Sequence, residues 1–169
     1  GDNPLLKKQT LKKLLDYHLQ NNVDATLLTA QLKNPAGYGR IMRDKYSSIC
    51  GIVEEKDADE VQKDIKEINT GIMAFKKDRL LAHLGSIRPN NRKKEYYLTD
   101  IIEILARKNY LVDGLKIEDA QEALGINTRA ELAKANAIMQ KTINEKFMQA
   151  GVTIVDPATT FINFGTKIG

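Results

Sequence analysis

Residues 49–75 read ICGIVEEKDADEVQKDIKEINTGIMAF. The order of predicted strands and helices in this stretch decides the fold. The mainly apolar residues from Ile49 to Glu54 predict a short strand, and Asn69 to Phe75 predict a second, buried strand. The polar residues between them, from Asp57 to about Ile65, are typical of a short helix. A strand, a helix and a strand in this order indicate an α/β domain.

The same alternation continues on both sides of this stretch. Leucines recur at helical spacing after Thr10, which predicts an amphipathic helix from Thr10 to about Gln20 with Thr10 as its N-cap. A second threonine, Thr99, is expected to cap a later helix. The recurring leucines are Leu11, Leu14, Leu15 and Leu19; the other predicted strands are Ala25–Leu32, Ile41–Arg43 and Leu111–Ile117, and Asp78–Leu84 is a further predicted helix.

The longest predicted element is a helix of about twenty residues that follows Thr128, longer than an average globular helix. Thr128 and Glu131 stand at capping-box spacing, and Gly151 is a suitable residue just past the helix end. After Gly151, the residues from Val152 to Gly169 are rich in β-branched side chains and glycines and have no helical period. The chain is therefore predicted to contain an α/β domain, a long connecting helix and the start of a β segment.

Composition excludes several classes of protein. Of the 169 residues, 42% are hydrophobic and 28% are charged, which argues against a disordered, collagen-like or disulfide-stapled chain. No apolar run approaches the roughly 18–20 residues that a membrane span needs, so no membrane partner is predicted. The net charge of +4 is a weak argument for nucleic-acid binding, and none is predicted. The single cysteine, Cys50, cannot form an intramolecular bridge and suits the reducing cytoplasm.

Three early segments contain residues suited to ligand binding, each with an ordinary structural alternative. Asp2 precedes the first helix and is either a turn residue or a carboxylate ligand for Mg²⁺. Gly37 and Gly39 either let the backbone approach a ligand closely or form a hairpin turn. Glu54 can accept hydrogen bonds from two neighbouring sugar hydroxyls and Lys56 can contact a phosphate, but such a charge cluster is also typical of a solvated loop.

Later segments add further polar candidates. Asn69 offers both a donor and an acceptor, which suits a hydroxyl or acetamido group, or it is an ordinary turn residue. Glu95 and Tyr97 either contact a ligand or pack at the start of the following helix. Asn127 is either a turn residue or a metal ligand. No Ser/His or Cys/His pair is identified, so no catalytic nucleophile is predicted.

The order of the motifs is more specific than any one of them. In chain order they are GDNPL at 1–5, NPAGYGRI at 34–41, GIVEEKDA at 51–58, EINTGI at 67–72, EYYLTD at 95–100 and GINTR at 125–129. This series resembles the bacterial bifunctional N-acetylglucosamine-1-phosphate uridyltransferase/glucosamine-1-phosphate acetyltransferase family over nearly the whole chain. The third and fourth motifs are the specific part, because related sugar nucleotidyltransferases share the third more loosely.

The resemblance implies a Rossmann-like, mixed α/β sheet of the sugar nucleotidyltransferase type, present in part. Residues 1–129 would be the C-terminal half of the nucleotidyltransferase domain. Residues 130–150 would be a linker helix, and residues 151–169 would start a left-handed parallel β-helix. The implied reaction joins UTP and N-acetylglucosamine 1-phosphate to give UDP-N-acetylglucosamine and pyrophosphate.

The resemblance also implies a role for each candidate residue. Asp2 and Asn127 would be the protein ligands of Mg²⁺, and metal and positioning would replace a covalent nucleophile. The residues implied in substrate binding are Gly39, Glu54 and Asn69 on the N-acetylglucosamine part, Glu95 and Tyr97 close to it, and Lys56 on a phosphate.

Two features of the family do not occur in this sequence: the Gly-rich loop that holds UTP and the hexapeptide β-helix that binds acetyl-CoA and trimerises. The chain is therefore expected to be an internal fragment of a cytoplasmic, homotrimeric parent, and to be inactive towards UTP alone. Two alternatives stay open. One is another sugar-1-phosphate nucleotidyltransferase acting on glucose or another hexose, and the other is a non-catalytic sugar-nucleotide-binding regulatory module.

Overall fold

A five-stranded mixed sheet forms the core of residues Leu6–Ala123 in the computed structural model, which describes residues 3–169. The strand order is β3-β2-β4-β1-β5. β1 pairs antiparallel with β4 and parallel with β5, while β2 pairs antiparallel with both β3 and β4. The strands are β1 (Ala25–Gln31), β2 (Arg40–Arg43), β3 (Ile49–Val53), β4 (Glu67–Phe75) and β5 (Val112–Lys116).

Helices connect these strands, and a second compact unit contains residues 3–5 and 124–169. β1 is buried from Ala25 to Ala30 because apolar clusters cover it on both sides. One cluster contains Ile101, Ile102 and Leu105 of α4, and the other contains Leu14 of α1. The helices are α1 (Lys8–Gln20), α2 (Glu60–Lys63), α3 (Lys77–Leu84), α4 (Asp100–Arg107) and α5 (Arg129–Gln149), and Ala120–Ala123 forms a 3₁₀ turn.

The first helix forms as predicted, but its start and its buried face differ from the prediction. It begins at Lys8, and the Thr10 hydroxyl donates to the buried Glu122 carboxylate at 2.5 Å instead of capping the helix. Only Leu14 and His18 of the helix are buried, whereas Leu11, Leu15 and Leu19 are exposed. Helical spacing of leucines identifies the helix but does not determine which stripe meets the sheet.

Two helices begin at capping boxes. In α5 the Thr128 hydroxyl accepts from the Glu131 amide while the Glu131 carboxylate accepts from the Thr128 amide, which confirms the predicted start. Asp59 and Gln62 form an equivalent box at α2. That box shortens α2 relative to the predicted helix, because Asp59 is the N-cap and the residues before it turn instead.

No strand is present in residues 152–169, although a β segment is predicted there. Side-chain amides of α5 hold this segment: the Asn144 Nδ2 donates to the carbonyls of Pro157 and Thr160 at 2.9 and 2.8 Å. That this segment begins a β-helix stays a prediction.

None of the helices in the described part of the chain combines the length and apolar character that crossing a bilayer demands.

Candidate functional site

An open cleft of about 570 Å³ lies where β3 ends and α4 begins. It is lined by Ile52, Val53 and Glu54 and by residues of the polar loop between α3 and α4. The Asp57 carboxylate accepts a hydrogen bond from the Arg92 amide at 3.0 Å, which ties this loop to the end of β3. Of the residues predicted to contact substrate, Glu54 and Tyr97 line the cleft.

The sheet register brings two other candidate positions, Gly39 and Asn69, next to Glu54. Arg40 is paired with Val53 on β3 and with Ile68 on β4, both antiparallel. The next position in each ladder therefore sets Gly39 opposite Glu54 on one side and Asn69 on the other. The Asn69 amide donates to the Gly39 carbonyl at 2.8 Å, in agreement with that register.

Gly39 leaves space that the Glu54 carboxylate occupies. A Cβ at position 39 would lie 3.2 Å from Glu54 Oε2 and 3.0 Å from Ile52 Cγ2. Gly39 itself is buried, so the carboxylate is held against a stretch of bare backbone. A carboxylate in this position presents an acceptor beside the cleft.

The Asn69 side chain is buried and its direction is fixed locally. Asn69 Oδ1 accepts from the Gly71 amide at 3.1 Å, and Gly71 has a φ of +81°, a left-handed conformation that favours glycine. Thr70 anchors the same strand, because its hydroxyl donates to the Leu28 carbonyl at 2.8 Å. Asn69 is therefore a pre-oriented polar group next to Gly39.

Thr99 contacts Glu54 and does not cap α4. No hydrogen bond joins the Thr99 side chain to the helix start, and its hydroxyl donates to Glu54 Oε1 at 2.9 Å. The predicted role of Thr99 as a cap is wrong in this respect. The side chain is directed to a carboxylate 45 residues away in the chain instead of to a helix amide.

The cleft is lined by charged groups of both signs: the carboxylates of Glu54, Asp57, Asp100 and Glu103, and the guanidinium groups of Arg88, Arg92 and Arg107. Burial raises the pKa of Asp100, and the neighbouring carboxylates of Glu103 and Glu54 raise it further. Burial likewise raises the pKa of Tyr97, to which Asp57 and Glu95 add. The carboxylates can accept hydrogen bonds from hydroxyl or amide groups of a ligand, and the arginines can pair with an anionic group.

Glu95 and Lys56 lie on the exposed surface and do not line the cleft. The Lys93 ammonium lies 3.8 Å from the Glu95 carboxylate. The same ammonium lowers the pKa of Lys56, because two like charges are close together. The structure therefore places these two candidates beside each other, outside the cleft.

One of the two predicted metal ligands, Asp2, lies outside the described residues. The other, Asn127, is exposed just before the N-cap of α5, and its amide donates to Glu131 Oε2 at 2.7 Å. Its side-chain amide oxygen is a hard ligand of the kind Mg²⁺ takes, so the residue fits the ion chemically. Within residues 3–169 there is no group of three or more His, Cys, Asp and Glu side chains that could hold a metal.

Sequence reasoning missed an ion pair next to the site. The Arg40 guanidinium is 1% exposed and lies 2.6 Å from the Glu55 carboxylate. Arg40 also donates to the Lys63 carbonyl, at 3.4 Å from Nε and 3.3 Å from Nη2, and to the Tyr38 carbonyl. The available signal was that Arg40 and Glu55 both flank the motif residues Gly39 and Glu54. The pair fixes the neighbouring ends of β2 and β3.

Curated relatives match the chain along its whole length. The proteins named "Bifunctional protein GlmU" from Enterococcus faecalis, Geobacillus sp. and Lactococcus lactis are each 47% identical over 169 residues, all of this chain and 37% of their own length. The chain is homologous to one segment of the GlmU proteins. No family model matches it. The resemblance inferred from the ordered motifs is thereby confirmed, and the chain spans about 37% of the GlmU relatives it matches.

A solved structure shares the fold. The crystal structure of a protein described as a glucose-1-phosphate thymidylyltransferase from Bacillus anthracis, in complex with a sucrose, superposes with a TM-score of 0.54. It covers 76% of this chain and 48% of its own, at 18% sequence identity. The predicted Rossmann-like mixed sheet of the sugar nucleotidyltransferase type is therefore confirmed.

Proposed function

We propose that this chain is the sugar-binding part of a uridyltransferase that joins UTP and N-acetylglucosamine 1-phosphate to give UDP-N-acetylglucosamine and pyrophosphate. The parent protein would also acetylate glucosamine 1-phosphate from acetyl-CoA, as the name "bifunctional" of its GlmU relatives suggests. The observation that carries the proposal is the meeting of Gly39, Glu54 and Asn69 across the adjoining strands β2, β3 and β4, where Glu54 lines the open cleft.

The chemistry of these groups suits an N-acetyl sugar. Glu54 supplies a carboxylate that can accept from sugar hydroxyls, and Asn69 supplies an amide suited to a hydroxyl or an acetamido group. A wrong sugar would leave a polar group of the site without its partner, at a cost of about 1–3 kcal/mol. That cost is the basis on which the site would prefer one hexose phosphate over another.

The reaction needs alignment and charge neutralisation more than a nucleophilic side chain. Attack of a sugar phosphate on the α-phosphorus of UTP is a phosphoryl-type transfer, in which positioning and electrostatics dominate. Mg²⁺, when bound, would neutralise phosphate charge, and Asp2 and Asn127 are its proposed ligands. We expect Asn127→Ala to weaken Mn²⁺ binding to the chain, measured by water-proton relaxation, whereas Asn136→Ala in the interior of α5 should not.

The sugar preference is tested by calorimetric titration of the chain with N-acetylglucosamine 1-phosphate and, separately, with glucose 1-phosphate. The N-acetyl sugar should bind more tightly, and Glu54→Ala should weaken it by about 10–100-fold, the value of a hydrogen bond to a charged group. Glu103→Ala removes another carboxylate from the same cleft and should leave the affinity within about twofold.

Each other result has a distinct meaning. Tighter binding of glucose 1-phosphate would favour a nucleotidyltransferase for another hexose. Equal losses in the Glu54 and Glu103 variants would show that net charge, and not recognition by Glu54, governs binding. Absence of sugar-phosphate binding by the folded chain would refute the proposed site.

A further inference from the structure

The Thr99 hydroxyl donates a hydrogen bond to Glu54, a residue that lines the cleft. Thr99 is the N-cap of α4 by position, with a φ of −61° and a ψ of −24°, yet its side chain makes no capping hydrogen bond. Its hydroxyl instead donates to Glu54 Oε1 at 2.9 Å, across 45 residues of sequence. An N-cap threonine ordinarily gains stability by accepting from a helix amide, so this side chain serves another contact.

That contact limits the directions the Glu54 carboxylate can take. Oε1 receives the Thr99 proton, and Oε2 lies on the Gly39 side, 3.2 Å from where a Cβ would be. Glu54 follows β3 and is only partly buried, so its side chain would otherwise sample several rotamers. The hydroxyl and the bare backbone of Gly39 hold the carboxylate between them.

We propose that Thr99 is a positioning residue that orients the Glu54 carboxylate to accept hydrogen bonds from the sugar. This inference rests on the proposed function, because it assigns Thr99 a role in the same site. Thr99 fixes an acceptor before the ligand arrives, which reduces the rotamer entropy lost on binding. The contribution of Thr99 to sugar affinity therefore passes through Glu54.

The test compares Thr99→Val, which keeps the shape and removes the hydroxyl, with Thr99→Ser, which keeps the hydroxyl. N-acetylglucosamine 1-phosphate should bind Thr99→Val about tenfold more weakly, the lower end for a lost bond to a charged group. Thr99→Ser should recover most of that affinity. If the second methyl group of valine does not fit at position 99, Thr99→Ala replaces Thr99→Val in the comparison with Thr99→Ser.

A matched control exists in the same unit. The Thr10 hydroxyl also donates to a carboxylate, that of Glu122, at 2.5 Å, outside the cleft. Thr10→Val removes the same kind of bond and should leave sugar affinity unchanged. Thermal unfolding of all variants separates a loss of stability from a loss of binding.

The outcomes distinguish this inference from the proposed function. If the unchanged chain binds no sugar phosphate, the proposed function fails and Thr99 has no role to play. If it binds, and Thr99→Val binds within twofold of it, the positioning role is wrong. Failure of Thr99→Ser to recover affinity, or an equal loss in Thr10→Val, overturns it as well.

Discussion

Replacing Gly39 by alanine tests the contact between the backbone and the Glu54 carboxylate. The added Cβ would lie 3.0 Å from Ile52 Cγ2 and 3.2 Å from Glu54 Oε2, whereas relaxed contacts between carbons are about 3.5–4.0 Å. Ile52 is 8% exposed and packed in the core, so it has little room to move. Glu54 is the more mobile neighbour, and its displacement would stretch the bond from Thr99.

Both stability and binding should therefore change. Overpacking of this kind costs about 1–3 kcal/mol of unfolding free energy, and about 2–4 °C of melting temperature per kcal/mol in a chain of this size. Sugar affinity should fall by about tenfold or more, because the carboxylate leaves the position that Thr99 and Gly39 define. Calorimetric titration with N-acetylglucosamine 1-phosphate and a thermal melt measure the two effects separately.

Two further glycines provide controls without left-handed φ angles. A Cβ at Gly114 would lie 2.9 Å from Ile49 Cδ1, so Gly114→Ala should destabilise the sheet as much and leave sugar affinity unchanged. A Cβ at Gly51 would lie 3.6 Å from the nearest atom of Glu103, an ordinary contact, so Gly51→Ala should change little. The reasoning is refuted if Gly39→Ala keeps its affinity, or if Gly114→Ala loses as much.

Three other predictions concern stability. Burial lowers the pKa of His18 in the folded chain, so the unfolded chain protonates this histidine first as pH falls through the ordinary value of 6.5. The melting temperature should therefore decrease as pH is lowered below 6.5. His18→Gln should remove this part of the pH dependence. The Arg43 guanidinium lowers the pKa of Glu67 in the folded chain. The stability that this ion pair contributes is therefore present above pH 4.5 and is lost as pH falls through the lower pKa of the folded state. Glu67→Gln should lower the free energy of unfolding in urea at pH 7 by about 1–2 kcal/mol and weaken the dependence of stability on pH in acid. Thr128→Ala should cost about 1 kcal/mol by loss of the cap and reduce helical circular dichroism, whereas Thr142→Ala in the exposed middle of the helix should not.

Local sequence predicts the elements where local interactions decide them. The start of α5 follows from Thr128 and Glu131, whose hydrogen bonds are made within one turn of helix. The strand β1 follows from an apolar run, which the sheet buries from Ala25 to Ala30. The predicted strand from Asn69 to Phe75 lies within β4. These features depend on neighbours in the sequence and need no knowledge of the tertiary contacts.

Threonine hydroxyls show where local reasoning fails. Thr10 and Thr99 both stand where a helix is expected to begin, and both donate instead to a distant carboxylate, on Glu122 and Glu54 respectively. Donating to a carboxylate does not by itself prevent capping, because the Thr128 hydroxyl both donates to Glu131 Oε2 and accepts from the Glu131 amide. At Thr10 and Thr99 the carboxylate lies in a distant part of the chain, and the side chain turned towards it makes no capping hydrogen bond. Sequence spacing alone does not show which distant carboxylate the fold brings close to a hydroxyl.

The candidate substrate residues came from the order of the motifs, and the sheet register explains why three of those motifs belong together. In the sequence, Gly39, Glu54 and Asn69 are separate positions with ordinary alternative roles. Because β2 lies between β3 and β4, the residue before Arg40 faces the residue after Val53 on one side and the residue after Ile68 on the other. Strand order, which a single sequence does not reveal, is what makes them neighbours.

The Gly-Tyr-Gly segment needs glycine at positions 37 and 39 for two different physical reasons. Gly37 has a φ of +86°, and a Cβ there would meet no atom within 4 Å beyond its chain neighbours, so the turn conformation alone requires glycine. Gly39 lies outside the left-handed region, and the space a Cβ would need is taken by Ile52 and Glu54. A turn is present at Gly37, but it is not the predicted hairpin turn, because β1 and β2 are separated by β4 in the sheet. The close approach of a ligand to Gly39 stays a prediction. Substitution at Gly37 should disturb the turn, whereas only substitution at Gly39 acts directly on the carboxylate.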